Sequence, residues 1–181
     1  MKKASRISMH HWRKNLTVIL LLFSSVLIDG FIQSAWTSSL QTSIGLIVPR
    51  TILLMFIILS FHFEPNFILI NAAIFGFIMD TYYLGFIGIY MASLVLMVYL
   101  TYHLKRLIRP NVLSYTLISV LGITLVEVIV FGIMRILGIT TLSFQLFLVS
   151  RLSATLLFNG IVMLVFSFFI DRLVANIADE S

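Results

Sequence analysis

Long apolar runs separated by short polar stretches dominate this chain. They cover, approximately, residues 16–36, 44–63, 67–79, 86–104, 112–137 and 144–170. A membrane-spanning helix needs roughly 20 apolar residues, with a range of about 17–25. Five runs reach that length, whereas the third, at 13 residues, is short. We therefore predict an all-α bundle of about six transmembrane helices, the third being tilted, extended through Asp80 or re-entrant.

Polar and helix-breaking residues separate the runs. The stretch TSSLQTS follows the first run, HFEPN with Pro65 ends the second, and KRLIRPN ends the fourth. We predict one polytopic membrane domain over residues 1–181. It comprises a basic cytoplasmic segment (1–15), a helical bundle (16–170) and a cytoplasmic tail (171–181).

Composition supports a membrane protein. The chain is 60% hydrophobic and 10% charged, with a mean hydropathy of +1.10. Soluble domains average about 45–50% apolar and about 25% charged residues. The chain has no cysteine, which excludes disulfides, thiolate catalysis and cysteine metal sites.

The basic residues predict the orientation. Cytoplasmic loops of membrane proteins are enriched in Lys and Arg. Placing both termini in the cytoplasm collects on that side Lys2, Lys3, Arg6, Arg13, Lys14, Lys105, Arg106, Arg109 and Arg172. The N-terminal cluster then contacts anionic lipid headgroups, not nucleic acid, since no basic face continues beyond it. We interpret the first run as a span and not as a cleaved signal peptide, because Asp29 follows its apolar core and further apolar runs follow.

Charged side chains inside the apolar runs are candidate functional residues. Each costs about 2.5–3.5 kcal/mol at the centre of a span on the insertion scale, so such groups face the bundle interior and find partners. With the predicted orientation they all fall in the outer leaflet. We expect a polar network of Asp29, Arg50, Asp80, Glu127, Arg135, Arg151 and Asn159. Within it, Asp80 is expected to pair with Arg50 or Arg151.

Three roles are open for this network. It can lock the helices into one arrangement, line a ligand pocket open to the outside, or form a docking surface for another membrane protein. Arg151, Thr155 and Asn159 recur four residues apart and share one helical stripe, which favours an inward-facing surface.

Three glycines surround Asp80. Gly76 lies one turn before it, and Gly85 and Gly88 open the fourth run. Small residues let helices in membranes approach closely, and glycine also permits tight turns. We expect close helix packing or a helix turn at these positions, with the turn favoured for Gly85.

The sequence has no recognisable catalytic motif. HExxH, GxSxG, a P-loop and a dinucleotide-binding glycine turn are all missing. His62 and Glu64 are only two potential ligands, too few for a metal site. We predict that the protein is not an enzyme and requires no cofactor or metal.

The stretch GFIMDTYYLGFIGIYMASLVLMVYL resembles the central signature of the MreD family, the rod-shape-determining membrane proteins of bacteria. The matching positions are Gly76, Asp80, Gly85, Gly88 and the basic cluster Lys105, Arg106 and Arg109. Asn159–Gly160 is a weaker match. Pro49–Arg50 has the reverse of the order that is frequent in the family.

The resemblance implies a non-enzymatic subunit of the cell-elongation machinery in the bacterial cytoplasmic membrane. Its expected partners are MreC, membrane lipids and, near the MreB filament, the peptidoglycan synthases RodA and penicillin-binding proteins. The family is also similar in fold to the substrate-binding subunits of energy-coupling-factor vitamin transporters. Such a transporter subunit is therefore the alternative function.

Overall fold

The computed structural model describes residues 2–35, 41–42, 45–84 and 88–179. In chain order its elements are α1 (Lys2–Ala35), β1 (Gln41–Thr42), β2 (Gly45–Leu46), α2 (Thr51–His62), α3 (Pro65–Met79), the π-helical turn π1 (Asp80–Leu84), α4 (Ile89–Leu104), α5 (Val112–Ile136), α6 (Phe144–Leu146), the π-helical segment π2 (Phe147–Leu152) and α7 (Ser153–Asp179). The short strands β1 and β2 pair antiparallel. An all-helical bundle thus accounts for nearly all of the described chain.

Helix α2 lies at the centre of the bundle. It contacts α1, α3, α4, α5 and α7. Side chains are buried on all its sides, and Phe56, Ile57, Ile58 and Leu59 have no exposed surface. A helix that is apolar all round must be surrounded by other helices. The sequence of α2 therefore selects the central position.

Several helices have the length and composition of membrane spans. In the described part of the chain, three are long and apolar enough: Arg13–Ala35, Val112–Ile136 and Phe144–Ala178. Helix α3 has 15 residues and continues into π1, so the short third run is extended through Asp80. The membrane character of the protein follows from these helices. The six-span count and the cytoplasmic termini stay predictions.

The second predicted span begins later than expected. The apolar run suggested a helix from residue 44, but α2 starts at Thr51 and residues 47–50 are non-helical. Pro49 explains the difference, because a proline disfavours helical geometry in the residue before it and has no N–H to donate. The backbone of this segment is bound instead by side chains from α7, as described below.

A close approach of α3 and α4 builds the hairpin around Asp80. A Cβ atom added at Gly76 would lie 2.5 Å from the Cα atom of Met91, so only glycine fits there. Gly88, immediately before α4, has φ of +109°, a left-handed conformation that side-chain-bearing residues rarely adopt. Gly85 lies outside the described residues.

Candidate functional site

The polar side chains divide between the two ends of the bundle. We call the end that holds Asp29, Arg50, Asp80, Glu127 and Arg151 the network end. We call the opposite end, which holds Lys14, His62, Lys105 and Asp171, the basic end. The contacts that define each end are given below.

Asp29 of α1 caps the N-terminus of α2. Its carboxylate accepts hydrogen bonds from the backbone N–H of Thr51 at 2.8 Å and of Ile52 at 3.2 Å, and from the Thr51 hydroxyl. The first N–H groups of a helix have no partner within the helix, and the helix dipole favours a negative charge there. Asp29 therefore fixes α1 against α2 at a buried position.

Asp80 likewise caps the N-terminus of α4. Its carboxylate accepts hydrogen bonds from the backbone N–H of Gly88 at 2.8 Å, Tyr90 at 2.7 Å and Met91 at 3.1 Å. The expected pairing of Asp80 with Arg50 or Arg151 is therefore wrong. The physical reason is that three N–H groups at the start of α4 surround the buried carboxylate, whereas both arginines contact Glu127.

Glu127 of α5 binds two guanidinium groups. Its Oε1 atom accepts from Nε of Arg50 at 2.9 Å and also from Nη2 of Arg50, while its Oε2 atom accepts from Nε of Arg151 at 3.2 Å. The Arg50 guanidinium also lies 5.0 Å from the centre of the Tyr90 ring. We call Arg50, Glu127 and Arg151 the triad. It connects the start of α2 with α5 and π2.

Asn159 and Thr155 of α7 bind the non-helical segment before α2. The Asn159 side chain accepts from the backbone N–H of Arg50 at 2.8 Å and donates to the carbonyl of Val48 at 2.9 Å. The Thr155 hydroxyl accepts from the N–H of Val48 at 3.2 Å. Irregular backbone at membrane depth requires such partners in the protein interior.

Arg135 does not join the triad. It is exposed, and its Nη1 atom donates to the carbonyl of Leu142 at 2.6 Å. The expected place of Arg135 in the polar network is corrected accordingly. It lies at the end of α5, where Gly138 with φ of +71° ends the helix and the loop 137–143 follows. Arg135 thus holds that loop against the end of α5.

A cavity of about 230 Å³ lies beside the triad. Glu127, Arg151 and Tyr90 form its polar side. The remainder of its wall comes from α5, the loop 137–143 and π2, and consists of Val130, Phe131, Met134, Ile139, Thr140, Leu142 and Phe147. The network end thus combines a charged wall with an aromatic and aliphatic wall.

The sequence reasoning missed a second polar cluster, at the basic end. Asp171 of α7 accepts from the Tyr115 hydroxyl and lies 2.7 Å from Nε2 of His62. The signal was present, since Asp171 directly follows the last apolar run. Within the described residues, no group of three or more His, Cys, Asp or Glu side chains could hold a metal ion.

Two lysines close the basic end. Lys14 donates to the carbonyl of Ala178 at 2.6 Å, which ties α1 to the end of α7. Lys105 donates to the carbonyl of Ser60 at 2.5 Å and lies over the Tyr102 ring. Burial, and then the neighbouring Arg106, lower the pKa of Lys105 below its ordinary value.

The apolar helices, buried helix-capping aspartates and Arg–Glu–Arg triad define a helical integral membrane protein with an internal polar network. The family model described as rod shape-determining protein MreD matches residues 13–177. The chain belongs to the MreD family. Rod shape-determining protein MreD of Bacillus subtilis (strain 168) is 30% identical over 138 residues, which cover 74% of this chain and 80% of that protein. The resemblance inferred from the residues around Asp80 is thereby confirmed. No solved structure matches the chain.

Proposed function

We propose that this protein is a non-enzymatic, multi-pass subunit of the cell-elongation machinery in the bacterial cytoplasmic membrane. It binds MreC and helps to organise RodA and penicillin-binding-protein synthases near MreB. Membership of a rod shape-determining family supports a role in cell shape. The finer role is inferred from the network end.

The proposal rests on the hydrogen bonds that the charged groups at the network end form. Asp29 and Asp80 each accept backbone hydrogen bonds from the start of another helix, and Glu127 is bound by two arginines. Carboxylates used in this way hold helix ends in place and are not available as a general base. Such an arrangement suits a rigid docking surface, because little side-chain freedom is lost when a partner binds.

The exposed apolar residues at the network end are the expected contact surface for MreC. Ile136 is 86% exposed at the network end. Leu107 is 84% exposed and follows Lys105 at the basic end, which makes it a matched control. The proposed surface predicts that a charge at position 136, but not at position 107, weakens the complex.

The test is affinity purification of the tagged full chain from native membranes, with crosslinking and mass spectrometry. Ile136→Asp should lower the amount of MreC recovered per folded molecule, and Leu107→Asp should leave it unchanged. Equal recovery of MreC by both variants would show that MreC does not contact the protein at the network end. Absence of MreC from the wild-type sample would contradict the proposed function.

The comparisons give no support to the alternative of a vitamin-transporter subunit. Neither the matched family nor the curated relative is described as a transporter subunit. The same purification nevertheless tests it, because recovery of an ATPase together with a coupling transmembrane subunit would favour transport over elongation.

A further inference from the structure

The triad has an excess positive charge. It contains two guanidinium groups and one carboxylate, and both arginines bind that same carboxylate. The other acidic residues of the chain are Asp29, Glu64, Asp80, Asp171, Asp179 and Glu180. Asp29 and Asp80 are held by helix N-termini, and the remaining four lie toward the basic end or in the C-terminal tail.

Among the described residues, Glu127 is the acid that hydrogen-bonds to Arg50 and to Arg151. The segments 36–40, 43–44 and 85–87, which the structure does not describe, contain no Asp or Glu. An uncompensated charge in apolar surroundings costs free energy. Because two arginines share one carboxylate, the triad can accept one further negative charge.

Arg151 is the group that can accept such a charge. Arg50 is buried, whereas the Arg151 side chain is 35% exposed and lines the cavity beside the triad. Among the described residues, Arg151 hydrogen-bonds through Nε alone, so its two terminal nitrogens have no partner there. A planar guanidinium binds phosphate or carboxylate groups through paired N–H donors.

The remaining cavity wall suits an apolar chain. The Phe131 and Phe147 rings are stacked with centres 4.2 Å apart, and Met134 and Ile139 complete this side. A small hydrated anion gains nothing from such a surface, whereas a hydrocarbon chain gains van der Waals packing against it. The two walls together indicate an amphiphile.

We propose that this cavity binds the single anionic group, phosphate or carboxylate, of an amphiphile, with Arg151 as its charged partner. The start of the apolar chain lies against Phe131, Phe147 and Met134. An anionic membrane lipid has this chemistry. The proposal does not depend on MreC binding, since lipid binding and partner recovery are measured separately.

The test uses the full chain, delipidated in a neutral detergent, with native mass spectrometry and thermal unfolding as measurements. Phosphatidylglycerol should bind and raise the melting temperature more than phosphatidylcholine with the same acyl chains. Arg151→Gln should weaken phosphatidylglycerol binding by about ten- to a hundredfold, as expected for a charge-assisted hydrogen bond. Arg172→Gln removes the same charge at the opposite end and should leave binding unchanged.

A second variant covers the case in which Arg151→Gln does not fold. Met134→Trp fills the cavity without changing any charge, and it should abolish the preference for phosphatidylglycerol. Equal binding of the two lipids, or equal weakening by Arg151→Gln and Arg172→Gln, would overturn the proposal. Inorganic phosphate that bound as tightly as the lipid would also overturn it, because the apolar wall would then contribute nothing.

Discussion

The carboxylate of Asp80 accepts a hydrogen bond of 2.7 Å from the backbone N–H of Tyr90, ten residues further along the chain. Through this contact the end of α3 caps the start of α4. Asp29 does the same between α1 and α2. Two of the three acids at the network end thus bind helix N-termini, and the arginines converge on Glu127.

The Asp80 cap should be essential for folding. Asp80→Ala removes the acceptor of three backbone N–H groups, and we expect a loss of about 2 kcal/mol, the upper end for a lost helix cap, because the site is fully buried. Asp80→Asn keeps one acceptor oxygen and should therefore lose less stability. The measurement is reversible unfolding in mixtures of a mild detergent and SDS.

A charge swap separates capping from ion pairing at this position. If Asp80 caps α4, the double variant Asp80→Arg/Arg50→Asp should be no more stable than the worse of its single variants. Recovery of stability in the double variant would show instead that the two side chains interact. Thr81→Ala is the control, because Thr81 is exposed and its hydroxyl bonds only within its own helix.

Among the three residues of the triad, Glu127 should contribute most to the stability of the fold. Glu127→Gln leaves two guanidinium groups without a carboxylate, and breaking a buried ion pair in this way costs about 3–5 kcal/mol. Arg50→Gln should rank second, and Arg151→Gln last, because Arg151 is partly exposed and its pair is screened. Unfolding midpoints of the three purified variants give the order, and a larger effect of Arg151→Gln than of Glu127→Gln would contradict it.

Close packing of α3 on α4 predicts an asymmetry between two glycines. Gly76→Ala would bring a methyl group to 2.5 Å from the Met91 backbone, so the helices must separate, at a cost of about 1–3 kcal/mol. Gly160→Ala meets no atom within 4 Å and should be neutral or slightly stabilising. Thermal unfolding of the two variants side by side is the measurement, and equal melting temperatures would refute the packing explanation.

Asn159 should be required for the non-helical segment before α2. Asn159→Leu leaves the N–H of Arg50 and the carbonyl of Val48 without their partner, at about 1–3 kcal/mol for each buried group. Ser167→Ala on the same helix is the control, since that buried hydroxyl has no hydrogen-bond partner among the described residues. Both variants are compared by SDS unfolding, and similar stabilities would count against the role of Asn159.

The hydrophobic pattern predicted much of the fold because each apolar run folds largely by itself. Helices α3, α4 and α5 begin within three residues of the predicted starts, and α1 extends its run toward the N-terminus. The sixth run begins as α6 at Phe144 and continues through π2 into α7. The exception, α2, begins at Thr51, because Pro49 and the side chains of α7 favour a non-helical backbone before it. Hydrogen bonds from a helix that is distant in sequence cannot be predicted from the local hydrophobic pattern.

The sequence alone determined the membrane class, the family and the identity of the polar residues. Charged residues within apolar runs can be recognised from the sequence whatever the orientation of their side chains. Only the tertiary structure decided their partners. Asp80 could equally have met a guanidinium or a helix N-terminus, and the choice depends on how α4 follows α3. Arg135 and Arg151 are alike in sequence, yet only Arg151 reaches Glu127, because hydrogen bonds act over about 3 Å and helix packing sets that distance.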